Sequence, residues 1–174
     1  WACSWPLDCE SYTLGYVYGD GTFSNCGRAA EITFCTDESR QCFEEIKKSR
    51  YLNSFNPSDG RSYLRAYFKT DDRWVGRSKE VFPIELYKQS PQEAGSFLAG
   101  LFDSDGNWEP RQKRIRLASK SEAFLRGTAR LLEQHGILSS VSRSGFSTYG
   151  QSQSYQLVVM SDYMKKFVSF VPSI

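Results

Sequence analysis

The chain has 174 residues, of which 40% are hydrophobic and 24% charged, and its formal net charge is +2. That length accommodates two half-domains of about 80 residues around a shared seam, each marginal if it folded alone. So small a net charge does not by itself announce a nucleic-acid binder, and no apolar run approaches the length of a transmembrane helix.

Residues 1–10 read as an N-terminal extension. Their opening, Trp1-Ala2-Cys3-Ser4-Trp5-Pro6, has neither an initiator Met nor the basic start and apolar stretch of a signal peptide, as expected of a fragment cut from a longer chain. Thr13-Leu14-Gly15-Tyr16-Val17-Tyr18-Gly19-Asp20-Gly21 reads as a helix that ends in Asp-Gly. Gly15 and Gly19 are four apart and share one helix face, which lets another backbone come close. Gly21 is expected to stop the helix in the left-handed conformation. After a turn with Thr22 and Phe23, Ala30 to Thr36 alternates like a strand with one apolar face. Thr36 or Asp37 then caps a helix running to about Lys48, with Cys42, Phe43 and Ile46 as its buried stripe. Glu44 and Glu45 give that helix an acidic face. Two strand-like stretches, Tyr51 to Asn56 and Ser62 to Lys69, complete the first half, residues 11–75.

Gly76 to Gln92 reads as a linker, in which Pro83 and Pro91 argue against a continuous helix and Phe82, Ile84 and Leu86 are placed along the outside of a sheet. The same order of elements then repeats over residues 93–174. A helix carrying Gly100 and Ser104 on one face ends at Asp105-Gly106, 85 residues after Asp20-Gly21, and again a polar and an aromatic residue follow, Asn107 and Trp108. Lys113 to Ser119 matches the first alternating strand, Lys120 to about His135 the second helix, and Leu138 to Ser144 with Ser154 to Met160 the closing strands. A calcium-loop reading of Asp103 to Asn107 fails, because Trp108 stands where that loop needs Gly and Arg114 where it needs Glu.

The two Asp-Gly endings carry the chemistry. A carboxylate at a helix C-terminus meets the negative end of the dipole, and packing the two helices side by side brings Asp20 and Asp105 together, which compounds the repulsion. A hard divalent cation with oxygen ligands, Mg²⁺ first among them, resolves it by binding the carboxylates and free terminal carbonyls. Arg111, Lys113, Arg114 and Arg116 fall within six residues of the second half, and if Ile115 and Leu117 face the core, Arg114 and Arg116 point the other way.

Leu98-Ala99-Gly100-Leu101-Phe102-Asp103-Ser104-Asp105-Gly106 reproduces seven of the nine letters of the signature of the LAGLIDADG homing endonucleases, and Thr13 to Gly21 is a looser copy that keeps the third-position Gly and the closing Asp-Gly. The chain thus resembles the single-chain, two-motif form of that family over about residues 11 to 170. The resemblance implies an α+β fold of two pseudo-symmetric helix-strand-strand-helix-strand-strand halves. Their curved antiparallel sheets form a saddle, packed through the two motif helices, that straddles double-stranded DNA with the acidic helix ends at the minor groove. It implies a monomeric, site-specific, metal-dependent DNA endonuclease with a long, non-palindromic target. Asp20 and Asp105 would be the catalytic metal ligands, helped by the carbonyls of Gly19 and Ser104.

Family members often add a basic residue at the end of a half's last strand. Aligning Ser62-Tyr63 with Ser154-Tyr155 puts Lys69 there in the first half and Ser161, which lacks a positive charge, in the second. Thr36 and Ser119, at the matching ends of the second strands, either hold water near the site or only cap helices. DNA contacts are expected from Thr22, Ser24, Arg28, Glu31, Thr33, Asn53, Arg61 and Arg65 in the first half, and from Asn107, Arg111, Lys113, Arg114, Arg116, Arg143 and Gln156 in the second. An RNA-binding intron maturase and a catalytically silent DNA-binding regulator use the same scaffold, but retention of both Asp residues favours cutting.

Five cysteines, at positions 3, 9, 26, 35 and 42, form no CxxC pair, and the odd count speaks for a reducing, intracellular compartment. Cys35 and Cys42 read as small core residues, Cys3 with Cys9 as a local pair or as nothing. The single His135 reads as a helix-end cap, which argues against a nuclease built on a His general base. The ends lack the Cys or Ser start and His-Asn finish of a self-splicing segment, so intein splicing is not expected.

Overall fold

Asp8 opens the first helix, its carboxylate accepting a hydrogen bond from the Ser11 amide at 2.8 Å, and α1 runs Cys9–Asp20. The second motif helix, α3, runs Pro91–Asp105. Ser90 and Glu93 form a reciprocal capping box at its start, and Pro91 takes the first helical position, where a missing amide costs nothing. Pro91 and Gln92 therefore belong to the helix, not to the connection before it. The computed structural model describes residues 6–24, 29–57, 63–69, 79–146 and 153–172.

The helices α1 and α3 lie against each other through the small residues. A Cβ built on Gly15 would fall on the Phe97 carbonyl, 2.9 Å from the Leu101 nitrogen, and one on Gly100 would fall on the Tyr12 carbonyl, 2.7 Å from the Tyr16 nitrogen. Gly19 faces the Ser104 side chain in the same way. Both glycines that end the motifs are extended, Gly21 at φ −74° and Gly106 at φ −72°, where the sequence suggested a left-handed stop. They are needed for room: each donates its amide to the last turn of its helix, Gly21 to Val17 at 3.0 Å, and a Cβ on Gly21 would sit 2.6 Å from that same Val17 oxygen.

Each helix leads into a four-stranded antiparallel sheet. The first holds β1 (Thr22–Phe23), β2 (Ala29–Phe34), β3 (Leu52–Pro57) and β4 (Leu64–Lys69), in the order β1-β2-β4-β3, with α2 (Asp37–Ile46) between β2 and β3. The second holds β5 (Gly106–Glu109), β6 (Arg114–Ser119), β7 (Ser139–Phe146) and β8 (Gln153–Val159), in the order β5-β6-β8-β7, with α4 (Glu122–Gln134) in the matching place. The duplication legible in the sequence is the duplication of the fold: β2, β3, β4, β6, β7 and β8 agree with their expected ranges to within two residues, while β1 and β5 are short strands where the sequence suggested turns. A short final helix, α5 (Met164–Phe170), is additional.

Alternation settles which face is buried. Ala30, Ile32 and Phe34 of β2 lie opposite Phe68, Ala66 and Leu64 of β4, while Leu117 of β6 lies opposite Leu157 of β8. Those side chains meet the helices in one continuous core, in which Tyr16 tilts onto Phe34 and Tyr18 stacks on Phe124 at 5.6 Å. Helix α1 therefore supplies aromatic side chains to both halves.

Several local expectations change. Ile84–Lys88 is a 3₁₀ turn, and Phe82 and Leu86 are buried, Phe82 against Tyr87, Phe97 and Phe124. Thr36 caps α2, with Ser39 completing the box. The acidic Glu44 and Glu45 are balanced by Lys47 and Lys48, at 2.9 and 2.6 Å. Cys42 is buried but Cys35 is exposed, and Cys9, Cys35 and Cys42 carry free thiols, whereas Cys3 and Cys26 lie outside the described residues. His135 does end α4, by its backbone amide, and its ring stacks on Phe170 at 4.1 Å. Among the described residues no helix is long and apolar enough to cross a membrane.

Gly100→Ala should lower stability by about 1–3 kcal/mol through overpacking, because the added methyl meets backbone and not the end of a flexible side chain. Urea unfolding of parent and variant checks this, and an unchanged midpoint would mean that the helices do not meet through this face.

Candidate functional site

The seam delivers the two carboxylates. Asp20 and Asp105 are the last residues of α1 and α3, immediately after the facing pair Gly19 and Ser104. Asp105 keeps a path to solvent, yet the protein around it raises its carboxyl pKa, chiefly by burial and further by the Asp20 charge, against the opposing pull of Lys79. Two residues earlier, Asp103 accepts a hydrogen bond from the Tyr12 hydroxyl at 3.0 Å, which ties α3 to α1. Burial first, then the Asp103 charge, raises the pKa of Tyr12, so the phenol stays protonated and remains a donor.

Lys79 is the residue that sequence reasoning missed. Its ammonium donates to the Gly19 carbonyl, and its charge interacts with both Asp105 and Asp20. Burial lowers its pKa, and the two carboxylates oppose that shift. The neighbouring Glu80 carbonyl accepts a hydrogen bond from Ser121 Oγ at 2.6 Å, which fastens the segment to the start of α4. Lys79, Tyr18, Gly19, Asp105, Ser119 and Lys120 line one cleft. Nothing periodic marks Lys79 in the sequence, because it falls in the connection between the repeats.

Lys69, the basic residue expected from strand alignment, stands elsewhere. Thr22 is level with Glu31 and Tyr67 across the sheet, while Lys69 pairs with Ala29 at the end away from Asp20. Of the expected metal donors, Asp20, Asp105 and the Gly19 carbonyl belong to one charged neighbourhood around Lys79, and Ser104, whose carbonyl was the fourth, directly precedes Asp105 on α3, its hydroxyl donating to the Leu101 carbonyl at 2.9 Å. These are oxygen donors only, a set that suits a hard divalent cation. No third acidic, His or Cys side chain joins them among the described residues. Thr36 Oγ1 is committed to capping α2, and Ser119 Oγ accepts from the Ser121 amide.

The sheet faces turned away from the helices carry polar side chains. In the first sheet Thr22, Glu31, Thr33, Arg65 and Tyr67 share that face, with Glu31 paired to Arg65 at 2.9 Å. Asn53 sits in a β-bulge of β3, and Ser24 closes the β1–β2 turn against Ala29. Arg28 and Arg61 lie outside the described residues. In the second sheet Asn107, Glu109, Arg114, Arg116, Gln156 and Ser142 share the face. Glu109 holds Arg114 at 2.5 Å and Arg116 at 2.6 Å, while Gln156 links Arg116 to Ser142. Arg111 and Lys113 occupy the β5–β6 turn, where Lys113 adopts φ +49°. Arg143 is different: it pairs with Tyr155, two residues beyond Val141, on the helix side of β7. Tyr67 and Glu109, both on the polar faces, were findable from strict alternation.

Residues 92–172 match the family model described as LAGLIDADG-like domain. The two-motif LAGLIDADG fold extends over the whole chain. I-DmoI in complex with DNA and Mn superposes with a TM-score of 0.63, covering 94% of this chain and 95% of that one at 16% sequence identity. The N-terminal LAGLIDADG domain of DUF199/WhiA gives 0.63 over 97% and 86% at 16% identity. Full-length DUF199/WhiA from Thermatoga maritima gives 0.61 at 16% identity, covering 96% of this chain and 56% of that one. No curated protein matches in sequence.

The charge environment of this site sets a pH dependence. With no metal present, Asp105 holds its proton more tightly in the folded than in the unfolded chain. The associated stability is complete below the ordinary carboxylate pKa and is lost as pH rises through the raised value. Thermal melts in chelator from about pH 4 upward should show the parent losing stability relative to Asp105→Asn. Parallel curves would mean that burial does not penalise this carboxylate.

Proposed function

We propose that this chain is a site-specific, divalent-metal-dependent endonuclease that cuts both strands of a long, non-palindromic DNA target. The observation that carries the reading is the meeting of Asp20 and Asp105 at the ends of two helices whose backbones approach through Gly15 and Gly100. Structures with the same fold include I-DmoI with DNA and Mn and with DNA and Ca. A bound divalent cation such as Mg²⁺ would supply charge neutralisation at phosphate and an activated water.

The protein's own groups do the rest. Asp20, Asp105 and the Gly19 carbonyl would hold the cation, and the rigid seam would keep both carboxylates at one place on the duplex. Arg65, Tyr67 and Thr33 on one sheet, and Arg114, Arg116, Asn107 and Gln156 on the other, form unequal reading surfaces, which is why the target is not palindromic. Free thiols at Cys9, Cys35 and Cys42 suit a reducing compartment. One observation favours a second reading, a catalytically silent DNA-binding regulator: the Lys79 ammonium stands on the carbonyl that a metal would use.

Cleavage of a randomised DNA library with Mg²⁺ separates the two readings. Asp20→Asn and Asp105→Asn should each reduce cleavage by roughly three orders of magnitude or more, the several kcal/mol that a bound cation supplies, while DNA binding is kept or tightened. Full cleavage by either variant would sink the endonuclease assignment.

Glu109→Gln should release Arg114 and Arg116 from their ion pairs. Binding to all sequences is expected to strengthen, with the salt dependence steepening by about one unit of slope, while discrimination at the positions read by those arginines falls. Titrations on matched and mismatched duplexes at several salt concentrations measure both effects. If neither moves, β6 does not face DNA.

A further inference from the structure

We infer that Lys79 is an exchangeable counter-ion built into the site, holding the Gly19 carbonyl and offsetting Asp20 and Asp105 until a divalent cation displaces it. The inference rests on reading the acidic pair as a divalent-cation site.

Three observations converge on Lys79. Its ammonium donates to the Gly19 carbonyl, one of the oxygens at the negative end of α1. Its charge acts on both carboxylates, against the repulsion between them, and it lines the same cleft as Asp105. Its backbone is anchored close by: Ser121 Oγ holds the Glu80 carbonyl, and Phe82 is buried against Phe97 and Phe124. The ammonium is thus presented by a fixed backbone on a flexible four-carbon stem, so it can leave while the segment stays in place.

An ammonium carries one positive charge against two carboxylates and so compensates them only in part. A divalent ion at the same oxygens compensates them fully. The two cations cannot share one carbonyl, because at that separation in a partly buried site their repulsion is substantial. Metal binding therefore works against Lys79, and removing its charge should tighten the metal.

The experiment is a titration of the full chain with Mn²⁺ in the absence of DNA, with free Mn²⁺ counted by electron spin resonance. Lys79→Met should bind Mn²⁺ about tenfold more tightly than the parent, or more. Lys79→Arg, which keeps the charge, should stay near the parent affinity, and Asp20→Asn combined with Lys79→Met should lose the gain. Lys79→Gln repeats the test if the Met variant does not fold. Equal or weaker binding by Lys79→Met overturns the exchange while leaving the metal site standing. Mn²⁺ binding that survives Asp20→Asn places the ion elsewhere, and absence of binding in parent and variants alike removes the metal reading and the exchange with it.

Discussion

The close approach of two helix backbones governs the rest of this structure. Where Gly15 meets the carbonyl of Phe97 and Gly100 that of Tyr12, no side chain separates α1 from α3. Close-packed backbone deforms much less readily than side chains do, so the ends of the two helices are fixed relative to each other. Each end carries an Asp and opens directly into the first strand of a sheet. The seam thus determines at once where the carboxylates meet and how the two sheets are joined.

That arrangement is electrostatically unfavourable by itself. Two carboxylates near the negative ends of two dipoles repel each other and the carbonyls around them. Burial first, and the Asp20 charge after it, raises the pKa of Asp105, and the half-buried ammonium of Lys79 opposes that shift.

The polar sheet faces show a second balance of charge. Arg65 is paired with Glu31, and Arg114 and Arg116 with Glu109. Two carboxylates thus stand among three guanidiniums on the strands. They also hold long side chains in place. In the DNA-reading role proposed above, a guanidinium already oriented by a carboxylate would lose less freedom on meeting a base edge, which favours selectivity over bulk attraction.

The sequence by itself determined the repeat, its elements and the two carboxylates. These are local or periodic properties: glycines four apart, alternating apolar residues, Asp-Gly endings, capping residues at helix starts. Glycine was legible as a helix ending at Gly21 and Gly106, but its reason, space for a carbonyl and not a positive φ, emerged only from the backbone. Tertiary structure alone decided the rest. Lys79 reaches a carbonyl 60 residues earlier in the chain from a segment without periodicity, and Lys69, at the expected strand end, is carried away from the carboxylates by the strand register. Which lysine serves the site depends on where a flexible side chain meets distant backbone, and no local pattern encodes that.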